Sequence, residues 1–509
     1  MLIIGDERLT LEDFGKVLFG NEEISISPAS LNRVMQSYNF LNEYCNNKII
    51  YGINTGLGPM AQYQISSEER ISLQYNAIRS HCSGLGDRIP DVYVRSAMIC
   101  MLNAYLQGHS GVHPELVELL AELINRSIIP VVPEHGGVGA SGDLVQLAHV
   151  ALVLIGEGDV SYKGEIKPTA DVFSENNLKP ITVHLREGLA LINGTYIMTG
   201  IGIVNLINAI NLQEWSVAAS AMINEIVRSF DDYFSEELNE IKHHHGQQVV
   251  ASKIRAFLNN SELIRKRKDY FFDKHSKEEY LEDKVQEYYS VRCVPQILGP
   301  VYECLENAVR ILVEEANSSS DNPVVDLKSK SVFHGGNFHG DYVSSEMDKI
   351  KTAIVKLSML AERQSNFLFN SKLNNILPPF INLGKLGSNF GMQGVQFTST
   401  STCAENQTLA FPMSVHSISC NNDNQDIVSM GTNSALLTKR VIDNAFQILA
   451  IEMMAIIQAF DYLDIEAKSS DSSRKVYKSL RNISPVFKTD SVRYKEIEAI
   501  KIYIFCNNV

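Results

Sequence analysis

The segment HGGVGASGD at residues 135–143 crowds glycine around one serine. Ser141 has Ala140 and Gly142 as neighbours and lies in no G-x-S-x-G frame, so it does not read as the nucleophile of a hydrolase. Small neighbours make the backbone itself the point of interest. Gly142 has no Cβ, so its nitrogen can approach a preceding carbonyl closely, a geometry that lets the chain cyclise. Gly137, Gly139 and Gly142 also spell G-x-G-x-x-G, but a dinucleotide loop needs a strand before it and an acid about 20 residues later. Here the helix-like ELVELLAELINRS comes before, and Pro130 and Pro133 break the approach. The Lys-Ser/Thr of a phosphate-binding loop is missing too.

Other polar groups gather around aromatic residues: Tyr51-Gly52-Ile53-Asn54-Thr55-Gly56, Arg79-Ser80-His81, Gln286 to Arg292, Gly335 to His339, and Asn424-Gln425-Asp426. Each alone is a weak signal; their joint presence is the observation that counts. The run Lys242-His243-His244-His245 is not a metal site by pattern, since adjacent histidines on a helix point in different directions and no H-E-x-x-H follows. It reads as a surface cluster.

The elements that must position these groups are mainly helical. The 3.6-residue periodicity runs through 26–46, 67–81, 91–106, 114–126, 142–157, 197–230, 300–316, 343–371 and 433–464. Strand signals are confined to short pieces near 129–132, 159–167 and 331–334, the second with a hairpin at Tyr162-Lys163-Gly164. The stripe of Ile350, Ala353, Ile354, Leu357, Leu360, Phe367 and Leu368 marks a long bundle helix. Residues 188–213 carry no charge and exceed the roughly 20 needed to span a bilayer. Asn193, Thr195, Asn205, Asn208 and Asn211 would be costly in lipid, so the stretch is expected to be one buried core helix. Residues 259–287 are polar and charged and should be exposed. The expected domains are 1–200 with the glycine-rich segment, a long-helix bundle over 201–465, and an appended element at 466–509.

With 59 acidic against 45 basic residues, the net charge of −14 argues against a nucleic-acid binder that neutralises phosphates. The 8 cysteines lie singly with no C-x-x-C pair, which suits a reducing compartment. The N-terminus turns acidic at once, without the basic and apolar regions of a signal peptide. A cytoplasmic enzyme without a metal or a membrane partner is the expectation.

Taken together, GGVGASGDLVQLAH, YGINTGLG, LINGT, SSSDNP, GGNFHGD and NQDIVSMGTN resemble, in order, the motifs of the aromatic amino acid ammonia-lyase family, which includes histidine, phenylalanine and tyrosine ammonia-lyases and related aminomutases. The resemblance spans roughly residues 30–465. It implies a long-helix bundle core with a smaller mixed N-terminal domain, the fumarase/aspartase-like architecture, in a homotetramer whose active sites are shared between subunits. It also implies that Ala140-Ser141-Gly142 cyclises and loses water to form a methylideneimidazolone (MIO), an electrophile made without external cofactor. Ammonia is a poor leaving group and a benzylic proton a poor acid, so elimination needs an activated amine beside a positioned base.

By the same match, Tyr51 takes the β-proton, which requires donors that favour a phenolate. Arg292 clamps the substrate carboxylate; Asn193, Gln286, Tyr289 and Asn337 hold carboxylate, amine and prosthetic group; Phe338 packs beside the ring. His81 stands where phenylalanine-selective members carry an apolar residue. A site built to bond a phenol rejects the analogue lacking it by a factor on the order of 10⁴. Histidine-selective members carry Gln-Glu-Asp where this chain has Asn424-Gln425-Asp426, and a neutral Gln425 removes the carboxylate that would pair with an imidazole. Tyrosine as substrate and p-coumarate as product satisfy both positions. Histidine ammonia-lyase, tyrosine 2,3-aminomutase and a non-catalytic helical scaffold stay as alternatives. Cys82 follows His81 where many members have a small residue, which bears on the shape of the ring pocket.

Overall fold

The computed structural model describes residues 1–46, 48–272, 279–281 and 284–509. Helices make up 58% of the described residues, and among them strands are few and short. Contacts divide the chain into two compact units, each drawn from three segments: residues 1–207, 308–348 and 412–439 in the first, and 208–307, 349–411 and 440–509 in the second. This is a different division from the linear one at 200 and 465. Long helices leave a unit and later helices return to it, so neighbours in space are distant in sequence.

The first unit is built around helix Asp91–Leu106, where every residue from Ser96 to Leu106 is buried. A helix hidden on all sides must satisfy its polar side chains internally. Asn103 does so by donating to the Ala316 carbonyl at 2.9 Å. Helix Pro114–Asn125 presents Leu116, Leu119, Leu120, Leu123 and Ile124 to the interior and starts with a proline at its first position. Helices Arg70–His81 and Leu144–Leu154 both pack against the short helix Glu187–Ile192.

The expected hairpin is present: Asp159–Tyr162 pairs antiparallel with Glu165–Pro168 across Lys163 and Gly164, both at positive φ. Ile129–Pro130 adds a third strand to that sheet. Two pairings are not legible in the periodicity, namely Leu2–Ile4 with Ile24–Ile26 in parallel and Leu85–Arg88 with Pro133–His135 antiparallel. So a short strand, rather than a helix, directly precedes the glycine-rich loop. It pairs antiparallel, which is not the parallel βαβ unit of a dinucleotide fold.

The uncharged stretch 188–213 is not one helix. Helix Glu187–Ile192 stops, Asn193 takes extended backbone, and a second helix runs over Tyr196–Ile226. Asn193, Asn205 and Asn208 are buried, as expected, while Asn211 is half-buried; Asn205 donates to the Ala435 carbonyl at 2.8 Å. Among the described residues, one helix is long and apolar enough to cross a membrane, Gly431–Leu463, and its apolar window is 78% buried within the protein.

In the second unit, helices Gln393–Leu409, Asp471–Arg481 and Tyr494–Cys506 lie whole, together with parts of four longer ones. Buried amides tie them: Asn406 donates to Ser358 Oγ at 3.0 Å and to the Val441 carbonyl at 3.1 Å. The tail beyond residue 466 belongs to this core, with Trp215 Nε1 donating to the Asn507 carbonyl at 2.8 Å and Gln458 to Phe487 at 2.7 Å. Of the polar segment 259–287, Leu263 and Glu287 are buried and most other described residues are exposed or half-buried. Residues 273–278, 282 and 283 lie outside the described ones. His243, His244 and His245 are exposed, as the surface reading expects.

Candidate active site

Ala140-Ser141-Gly142 sits in a loop that has no room for side chains beyond its own. Gly142 has φ +69°, and a Cβ there would lie 1.9 Å from the Gly194 carbonyl oxygen. Gly139, at φ +75°, would put a Cβ 2.0 Å from Ser429 Oγ. Both positions therefore require glycine for conformation and for space. The backbone closes around them through Asp143 N–H to Gly194 O at 2.8 Å, Gly340 N–H to Gly139 O at 3.0 Å and Met430 N–H to Val138 O at 2.9 Å. Ala140 is buried with Val428 and Met430.

Asn193, where the uncharged stretch breaks, is the side chain that reaches the tripeptide. Its Nδ2 donates to Ser141 O at 3.1 Å and to Ser141 Oγ at 2.9 Å. Its buried Oδ1 has no hydrogen-bond partner. An amide with one end engaged and a buried acceptor left over is costly unless something else uses it. The helix break follows from this: a side chain leaving from extended backbone reaches the loop while Thr195 and Tyr196 restart the helix.

Residue-type reasoning missed Asp143, although it follows Gly142 directly. Its fully buried carboxylate accepts from Met198 N–H at 2.9 Å and from the Thr432 hydroxyl. Burial pushes its pKa up to about 6, against the lowering by those two donors. It fastens the loop to the start of two long helices. Glu315, half-buried and with its pKa raised by burial, accepts from the Thr195 hydroxyl.

Tyr51 is half-buried, and its phenol oxygen accepts from Gly58 N–H at 2.8 Å. A backbone donor aimed at that oxygen is the partner that a base role asks for. Gln74 braces the Tyr51 loop by donating to the Gly52 carbonyl at 2.9 Å and accepting from Leu189 N–H at 3.2 Å. His81 ends its helix with Nδ1 2.7 Å from the Ala77 carbonyl. A carbonyl only accepts, so Nδ1 carries a proton and donates it there, which leaves Nε2 as the ring nitrogen not used within the helix. Cys82 turns its thiol to the carbonyls of Ile78 and Ala148, at 3.3 and 3.2 Å, and burial pushes that thiol up to about 11.

Gln425 lies at the end of a turn from Cys420 in which the two residues exchange backbone hydrogen bonds of 3.1 and 3.3 Å. Cys420 Sγ stands 3.5 Å from Gln425 Oε1. Asn337 is exposed and Phe338 half-buried in the loop after strand Ser331–Phe333. All these residues belong to the first unit. Gln286, Tyr289 and Arg292 belong to the second, where the Arg292 guanidinium lies 4.7 Å over the Tyr289 ring and donates to Gln286 Oε1. Tyr289 is 70% exposed, an open position for an aromatic side chain.

Residues 9–482 match the aromatic amino acid lyase family. The chain belongs to that family. It is 37% identical over 500 residues to a histidine ammonia-lyase of Geobacillus sp. (strain WCH70), covering 98% of this chain and 95% of that one. It is equally 37% identical over 508 residues to a tyrosine 2,3-aminomutase of Chondromyces crocatus, covering 98% and 96%. The crystal structure of a tyrosine aminomutase from Streptomyces globisporus superposes with a TM-score of 0.94 at 34% identity, over 99% of this chain and 96% of that one. The protein is thus an enzyme of the aromatic amino acid ammonia-lyase and aminomutase family, with the helical architecture expected of it. The non-catalytic scaffold alternative falls with that assignment.

Proposed function

We propose that this aromatic amino acid lyase eliminates ammonia from L-tyrosine to give trans-p-coumarate, with an electrophile made from Ala140-Ser141-Gly142. The observation that carries the first part is the Asn193 amide on Ser141 O and Oγ, beside a Gly142 that tolerates no Cβ. In the formation of MIO, the Gly142 nitrogen bonds to the Ala140 carbonyl carbon, whose oxygen leaves as water; Ser141 Oγ leaves as a second water. The group supplies an electrophile for the substrate amine, and no external cofactor is needed.

The chain's own residues do the rest. Tyr51, with Gly58 N–H on its oxygen, takes the β-proton. Arg292 binds the carboxylate with Gln286 and Tyr289 beside it, Asn193 and Asn337 hold the amine and the prosthetic group, and Phe338 packs on the substrate ring. In the homotetramer proposed with this reading, these residues come from more than one subunit.

Two side chains favour tyrosine. His81, with Nδ1 engaged by Ala77, offers Nε2 to a phenol O–H. Gln425, whose Oε1 faces the Cys420 thiol, offers its amide N–H groups to an oxygen acceptor and brings no carboxylate for an imidazole. The relatives support two other readings, histidine ammonia-lyase and tyrosine 2,3-aminomutase, which share the same chemistry up to the departure of ammonia. The deciding measurement is steady-state kcat/KM for L-tyrosine, L-histidine and L-phenylalanine with products separated. Dominant p-coumarate supports the proposal, dominant urocanate would withdraw the role given to Gln425, and a β-amino acid would assign a mutase. A Tyr51→Phe variant should keep the mass loss of two waters at the tripeptide and lose turnover.

A further inference from the structure

Away from the tripeptide loop, three ligand-type side chains from two separate stretches of chain converge. His113 precedes helix Pro114–Asn125, Glu115 lies in its first turn, and His184 lies in the loop before helix Glu187–Ile192. One donor atom from each falls within 4.8 Å of the other two. The imidazoles of His113 and His184 stand 5.0 Å apart between centroids, and the edge of Tyr38 packs on both, at 5.0 and 6.0 Å.

What makes this a built arrangement is the buried Glu187 beneath it. One carboxylate oxygen accepts from the backbone N–H of His113 at 2.5 Å and the other from that of His184 at 2.6 Å. A single side chain thereby fixes the two backbones that carry the imidazoles. Glu115 is exposed on the rim, with its carboxylate 3.8 Å from His113 Nδ1.

We propose that His113, Glu115 and His184 bind a divalent transition-metal ion of the zinc type. Two imidazoles and a carboxylate make up a donor set this class of ion takes, with a position left for water. Donors about 2.0–2.1 Å from a tetrahedral ion lie about 3.3 Å apart. The exposed Glu115 side chain can swing inward to close the set, while the two histidines are already held. The ion would link the start of helix Pro114–Asn125 to the segment that ends in Asn193, and so stiffen the support of the tripeptide loop without touching substrate. The two backbones held by Glu187 and the packing of Tyr38 make this cluster different in kind from the exposed run His243-His244-His245.

The test uses full-length protein stripped with a chelator and dialysed against zinc ion, with bound metal counted by elemental analysis. The expected result is one zinc per chain. His184→Gln and His113→Gln should each weaken binding by at least about tenfold, and the triple exchange of His243, His244 and His245 to Gln should leave it unchanged. Thermal melts serve as the second measurement, because His113, whose Nδ1 accepts from Glu115 N–H at the start of its helix, also affects folding: zinc should raise the melting temperature of the wild type and of the triple variant, and not that of His184→Gln. Substoichiometric binding, or binding that disappears with the triple variant and survives in His113→Gln and His184→Gln, would overturn the assignment.

Discussion

The tripeptide loop and the Cys420–Gln425 turn lie in the same unit and are held in opposite ways. Around Ala140-Ser141-Gly142 the backbone is enclosed, with a buried amide, a buried carboxylate and glycines that admit no Cβ. The turn is mostly exposed, passes through positive φ at Asn421, Asn422 and Asp423, and is closed by two backbone hydrogen bonds. The proposed chemistry thus sits where any added side-chain bulk at Gly139 or Gly142 is felt by the fold, and the proposed substrate choice sits where a side chain can change at little structural cost. Relatives named for histidine and for tyrosine at the same 37% identity fit such a division.

The comparison can be broken at either region. Ser141→Ala should have the largest effect, a loss of turnover by more than about 10³-fold, together with loss of the two-water mass deficit in the tripeptide peptide. Its melting temperature should barely move, because the hydrogen bond of the Ser141 hydroxyl is to the Asn193 amide, which keeps its second bond to the Ser141 carbonyl. Near-normal turnover would remove the tripeptide from the mechanism. Gly142→Ala should destabilise the fold by about 2–4 kcal/mol in denaturant titration, since its Cβ has both a strained φ and a carbonyl in its way. A neutral result would mean that the loop is softer than its contacts indicate.

Asp143→Asn sharpens the electrostatic half of the comparison. Asp143 in the folded protein titrates near 6, above its value in the unfolded chain, so the folded state retains a proton that the unfolded state loses first. The stability due to this proton is fully present below about pH 4 and is lost as pH rises to about 6. Relative to wild type, Asp143→Asn should therefore gain stability across that window by up to about 3 kcal/mol, read as the difference between the two pH profiles. A flat difference would show that Asp143 is not raised. Gln425→Glu should have the smallest structural effect, within about 0.5 kcal/mol, while shifting kcat/KM toward histidine over tyrosine by about tenfold. Unchanged selectivity would place the discriminator elsewhere.

Much of the helical fold is legible in the sequence because apolar periodicity survives wherever one face of a helix meets water, as in Pro114–Asn125. It fails where burial is complete. The stretch 188–213 carries no charge along its length, so nothing in its pattern marks Asn193 and Gly194 as a break; the break exists because a side chain there must meet a loop fifty residues earlier in the chain. Short strands such as Leu85–Arg88 escape for a related reason, since all four of its residues are exposed and no alternation is needed.

What the sequence by itself determined is the helical class, the glycine requirement of the tripeptide loop and the family, because these depend on local residue types in a fixed order. Only the tertiary structure decided that Asp143 anchors that loop, that Asn193 reaches Ser141, and that Glu187 brings His113 and His184 together. Each of these is a hydrogen bond whose partner is chosen by packing, and packing joins residues that sequence distance keeps apart.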